Sequence, residues 1–150
     1  MRVFRISKCQ YIDDLSGTGA ALFGGRWNSK GNYMLYTAST ASLALLETIV
    51  HMSKIPAIDY CLAELELPSH SILEIEQEDL PANWSNYPAP SSLKRMGDRF
   101  LNDSGFLSLK IPSAVMKEEY LYLINPLHPL FKNIKILKTK KISLDSRLKN

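Results

Sequence analysis

Four side chains in this sequence combine a reactive type with a setting that gives chemistry something to work with. Arg26 follows Gly24 and Gly25 in FGGRWNSKG. A guanidinium matches phosphate oxygens two at a time, and neighbouring glycines let the backbone come close to an anion. Glu47 sits inside ASLALLETIV, a helical run that is apolar nearly all round. An ionised carboxylate there is costly unless it is paired or faces an opening. It either points out through a gap, pairs with His51 one turn on, or lines a cleft as a binding or catalytic acid. Tyr36 lies in the apolar run YMLYT, where its ring belongs either to the core or to a stacking wall with a bonded hydroxyl. Ser113 follows Pro112 in IPSAV, a strand-end setting in which serine usually serves a turn. The chain has no G-x-S-x-G elbow, which removes a serine hydrolase of that kind. The glycines form neither GxxxxGK[ST] nor a GxGxxG after a strand, so no standard nucleotide loop is present.

The elements that must hold these groups follow from periodicity and punctuation. Arg2 to Ile6 reads as an opening strand. Residues 12–32 read as a loop holding Gly17, Gly19, Gly24, Gly25 and Gly31, and loops of that length are usually functional or disordered. Tyr33 to Thr37 is a short buried strand, and Thr37 or Ser39 caps a helix over roughly Thr40 to Met52. Asp59 to Leu67 alternates, with Cys61, Ala63, Leu65 and Leu67 on one face and Glu64 and Glu66 on the other. Ser71 to Ile75 is a further strand, and 76–90 is a polar loop. A second helix starts at Ser91 or Ser92, with Leu93, Met96, Phe100 and Leu101 on its apolar face, and ends at 102–105. Phe106 to Ile111, Tyr120 to Ile124 and Asn133 to Lys138 close the chain as strands, with a rigid Asn125–Pro126, His128–Pro129 turn. The pattern is α+β, and 150 residues suit a single domain spanning 1–150.

Composition narrows the class. Hydrophobic residues are 45% and charged residues 22%, which are ordinary globular values. No apolar run is long enough to cross a membrane, and MRVFRISKCQ is too polar for a secretory signal. The expected compartment is therefore the cytoplasm, with Cys9 and Cys61 as reduced thiols. The net charge of +3 is uneven. Residues 1–131 carry 11 basic and 14 acidic groups, and residues 132–150 carry 7 basic groups and one acid, Asp145. That tail reads as a lysine-studded edge strand in preference to a nucleic-acid arm, because apolar residues alternate with the lysines and no aromatic follows Phe131 to stack on a base.

Several motifs, in order, tie the chain to a known family. They are LSGTGA at 15–20, GGRWNSKG at 24–31, YTASTASLALLETIVH at 36–51, MGDRFL at 96–101, IPSAV at 111–115 and NPLHP at 125–129. Together they resemble the RES domain family, named for an arginine, a glutamate and a serine. These would be Arg26, Glu47 and Ser113. Phe100 departs from a common tryptophan, and Leu121 from a frequent asparagine.

The resemblance implies a fold similar to the ADP-ribosyltransferase toxins, a split β-sheet core with flanking helices around an NAD+ cleft. It implies the toxin half of a bacterial toxin–antitoxin pair, acting as an NAD+ glycohydrolase with NAD+ as substrate and no metal. The implied catalytic set is Glu47, Arg26, Tyr36 and Ser113. The implied ligand contacts are Arg26, Tyr36 and Gly25, with Asn28 and Asn125 at the rim. The implied partner is an antitoxin with an Xre-type helix-turn-helix, in a complex that can hold two toxin copies, and this chain itself would not bind DNA. Two rivals are a mono-ADP-ribosyltransferase acting on a cellular protein, and a non-enzymatic module holding nucleic acid with its basic tail.

Overall fold

The computed structural model describes residues 1–149. Seven strands appear: β1 (Arg2–Lys8), β2 (Leu35–Ala38), β3 (Tyr60–Glu66), β4 (Ile72–Glu74), β5 (Ser108–Pro112), β6 (Tyr120–Ile124) and β7 (Lys135–Ile142). Three α-helices accompany them: α1 (Thr18–Phe23), α2 (Ala41–Ile49) and α3 (Ser91–Asp103). The strands lie in the order β4-β5-β6-β2-β1-β3-β7, and only β4 and β5 run parallel. The sheet is split in a literal sense. β1 and β2 pair at a single position, Phe4 opposite Ala38. By contrast β1 and β3 pair along the whole of β1, from Arg2 opposite Glu66 to Lys8 opposite Tyr60. The architecture is therefore mixed α+β, with two strand groups joined through one residue pair.

The period-2 alternation of β6 shows how the two groups share a core. Leu121 and Leu123 join a cluster with Trp27, Leu43, Trp84, Leu93, Phe100, Leu109 and Ile111. Tyr122 and Ile124, pointing the other way, join Val3, Leu35, Cys61, Ala63 and Leu65. Helix α2 packs on β1 and β2, where the sheet narrows. Its N-cap is Thr40, whose hydroxyl accepts the Leu43 amide at 3.0 Å. Thr37 belongs to the strand instead and donates to the Tyr122 carbonyl at 2.7 Å. The basic tail forms β7, an exposed edge strand paired with β3.

Two expectations change. The glycine-dotted segment 12–32 contains α1, bracketed by Gly17 and Gly24 with φ of 74° and 71°. Those positive-φ glycines start and stop a six-residue helix, and a run so short leaves no clear 3.6-residue pattern to read. The cysteines are not free thiols: Cys9 and Cys61 are joined in a disulfide, with Cα atoms 4.8 Å apart. The antiparallel β1–β3 register brings together residues 52 apart in sequence, a proximity that the compartment rule cannot foresee. No helix among the described residues is long and apolar enough to cross a membrane.

Candidate active site

A cavity of about 780 Å³ opens between the glycine loop, α2, the 84–87 segment and the β5–β6 turn. Its lining includes Gly24, Gly25, Arg26, Trp27, Tyr36, Glu47, His51, Ser85, Tyr87, Val115 and Leu121. A smaller cavity of about 230 Å³ adjoins it and shares Tyr36, Glu47, His51 and Leu121.

Glu47 leaves the apolar helix towards this opening. Its Oε1 accepts a 2.6 Å hydrogen bond from Ser113 Oγ. Ser113 is fully buried, and its Oγ also accepts the amides of Val115 at 3.1 Å and Met116 at 3.0 Å. Two incoming N–H groups fill the oxygen's lone pairs, so its own hydrogen is left for Glu47. The serine thus acts as a fixed donor to the carboxylate and serves its turn at the same time. A second tie holds the same two elements: Thr40 Oγ1 donates to Glu119 Oε1 at 3.2 Å. Glu47 forms no ion pair among the described residues. His51 lies at the cavity wall one turn on and does not neutralise it.

Arg26 is half-buried and works in two directions. Its Nη1 donates to the carbonyls of Trp84 at 3.0 Å and Asn86 at 3.1 Å. One nitrogen therefore anchors the far wall of the cavity. A guanidinium has further donors on its fork, and here they carry no hydrogen bond among the described residues.

Tyr36 supports the glycine loop from below. Its hydroxyl donates to Asn28 Oδ1 at 2.7 Å and accepts the Trp27 amide at 3.1 Å. Burial pushes its pKa well above the usual tyrosine range, against the smaller opposing pull of the Trp27 amide. The hydroxyl is taken up by those two bonds, and the residue lines the cavity. Gly25 is obligatory above it. A Cβ there would lie 2.6 Å from Tyr36 Oη and 2.8 Å from Asn28 Oδ1.

The two asparagines do not reach the rim. Asn28 is fully buried, and its Nδ2 donates to the carbonyls of Ala20 at 2.8 Å and Asn32 at 3.1 Å. It is the hub that closes the glycine loop, its amide bonding within that loop and its Oδ1 taken by the Tyr36 hydroxyl. Asn125 is outside the cavity lining. Its Oδ1 accepts the Leu127 amide at 3.0 Å, and its Nδ2 donates to the Leu101 carbonyl at 3.2 Å.

Sequence reading passed over two supports and one wall. Asp98 on α3 accepts the Ser29 amide at 3.0 Å and the Ser29 hydroxyl at 2.5 Å, tying helix to glycine loop. Partial burial works to raise its carboxyl, but the bonds from Ser29 outweigh that and hold it below the usual carboxylate range. Gly97, beside it, lies directly against the Trp27 carbonyl. Both were visible in MGDRFL only as letters, since neither residue's partner is near in sequence. Tyr87, from the polar loop, lines the cavity opposite the helix.

Comparisons with known proteins agree with this picture. The profile of the family described as the RES domain matches residues 2–145. The chain is 34% identical to a protein named Toxin Res from Yersinia enterocolitica, covering 99% of this chain and 100% of that one. It is 38% identical to a Prs ADP-ribosylating toxin from a Sphingobium species, covering 98% and 94%. Among solved structures, it resembles a chain of the M. tuberculosis MbcT–MbcA toxin–antitoxin complex with a TM-score of 0.77. That likeness spans 95% of this chain and 84% of the other at 16% identity, so it speaks to the fold. With the profile spanning nearly the whole sequence and relatives matched end to end, this chain belongs to the RES domain family.

Proposed function

We propose that this protein is the toxin of a toxin–antitoxin pair and that it cleaves the nicotinamide N-glycosidic bond of NAD+. The observation that carries the reading is the Ser113–Glu47 hydrogen bond at 2.6 Å, on a wall of the same cavity that Arg26 lines. Relatives named Toxin Res and Prs ADP-ribosylating toxin support it.

The chemistry needs two opposite charges. The bond between ribose C1′ and the pyridinium nitrogen breaks with its electrons going to nicotinamide, which leaves neutral. Positive charge builds on the ribose as an oxocarbenium-like centre. The Glu47 carboxylate stabilises that charge, and Ser113 holds it in place. Arg26 takes the pyrophosphate with its remaining donors, and the lack of a Cβ at Gly25 keeps the loop close. Water then attacks C1′ and its proton passes to Glu47 and on to solvent. The balance is NAD+ plus water giving nicotinamide, ADP-ribose and one proton. Tyr36 walls the nicotinamide end. The partner in this reading is an antitoxin with an Xre-type helix-turn-helix.

The name of the Sphingobium relative favours one variant, in which a protein side chain replaces water as the acceptor. Incubating the purified chain with NAD+ labelled in the adenine half separates the two. Hydrolysis gives nicotinamide and free labelled ADP-ribose; transfer puts the label on protein. Folded protein that leaves NAD+ intact, with or without cell extract as acceptor source, removes both.

Ser113 is assigned as a positioning residue. Ser113→Ala removes one hydrogen bond to a charged group, and kcat for nicotinamide release is expected to fall about tenfold with KM little changed. An unchanged kcat, or a rise in KM alone, would show that the serine serves only its turn.

A further inference from the structure

We propose that Tyr87 is the stacking platform for the adenine ring, at the mouth of the same cavity; the assignment rests on the NAD+ reading above. Tyr87 is 85% exposed, yet it lines the cavity that holds Glu47 and Arg26. Its hydroxyl has no protein partner among the described residues. The other aromatic groups at this site are committed: Tyr36 is bonded through its hydroxyl, and Trp27 and Trp84 are buried in the core. Tyr87 is the ring left with a free face.

Its backbone is nonetheless held. Trp84 is buried, and Arg26 Nη1 grips the carbonyls of Trp84 and Asn86, the residue just before Tyr87. The ring is therefore presented from a fixed base. One cavity carries Glu47, Arg26 and Tyr87: a carboxylate for the scissile ribose, a cation for the pyrophosphate and a free ring for the far base. Arg26 and Tyr87 are neighbours in it, since Arg26 donates to the carbonyl of Asn86, the residue just before Tyr87. A base stacked on an aromatic side chain is bound by its π-face, which needs no hydroxyl. Phenylalanine should therefore replace tyrosine here and alanine should not.

The test uses the full chain and titration calorimetry with two probes, ADP and nicotinamide mononucleotide, which lacks the adenine half. Tyr87→Ala is expected to weaken ADP about tenfold, and Tyr87→Phe to stay within about twofold of wild type. The preference for ADP over nicotinamide mononucleotide should fall about tenfold in the alanine variant. Unchanged ADP affinity in Tyr87→Ala overturns the assignment, as does equal weakening of both probes, which would mean a loosened wall. If wild type cleaves NAD+ and Tyr87→Ala keeps its KM, the adenine assignment fails and the NAD+ reading stands. If wild type binds neither probe and leaves NAD+ intact, both fail.

Discussion

Glu47→Gln should lower kcat/KM for nicotinamide release by about 10²- to 10³-fold, the range seen when one preorganised electrostatic partner of a transition state is removed. The substitution keeps the volume and leaves an amide oxygen to accept the Ser113 hydroxyl, so the contact at 2.6 Å can persist. What disappears is the negative charge on the cavity wall. The charge matters more than usual because Glu47 is half-buried and unpaired among the described residues, so its field is poorly screened by water. Folding should be little affected, since the side chain opens into a cavity and makes no ion pair. Melting curves of the two proteins supply that control. A glutamine variant that stays folded and releases nicotinamide within about tenfold of wild type would remove Glu47 from the centre of the mechanism.

This residue also marks what the sequence reveals and where it stops. An acid inside ASLALLETIV breaks a local rule, since burying a charge costs free energy, and that conflict points to a site. The same logic applies to Arg26 beside two glycines. The elements around them were equally legible: β6 was bounded correctly at Tyr120 and Ile124, and β3 alternated as expected. Long-range partnerships were not legible. Ser113 fixes Glu47 across 66 residues of chain, and the motif match singled it out where the residue's own chemistry pointed to a turn. The resemblance implies that Asn28 meets the ligand at the rim. It is instead the buried hub whose amide closes the loop. Arg26 lines the cavity, and one of its nitrogens ties down a segment 58 to 60 residues away. Periodicity reports which way a side chain faces and says nothing about which distant backbone it meets.

Gly97→Ala should be the most damaging small substitution in the protein. On helix propensity alone alanine would win, since glycine in a helix interior costs about 0.5–1 kcal/mol. The packing decides otherwise. A Cβ at residue 97 would lie 1.7 Å from the Trp27 carbonyl oxygen and 2.7 Å from its carbonyl carbon. Both are backbone atoms, so no rotamer change relieves the overlap, and α3 and the glycine loop must separate. That separation pulls on the Asp98–Ser29 bonds, on fully buried Trp27, and on the Trp27 amide that orients Tyr36. A loss of about 3 kcal/mol or more is expected, at the upper end for overpacking. For a chain of this length that lowers the melting temperature by roughly 6–12 °C. Gly19→Ala provides the matched comparison, because Gly19 is also helical and its Cβ would meet nothing within 4 Å. It should be neutral or stabilising by up to about 1 kcal/mol. The same chemical change thus carries opposite signs at two helical glycines. If thermal denaturation finds Gly97→Ala as stable as wild type, the close approach of α3 to Trp27 is wrong, and with it the account of how the helix holds the glycine loop.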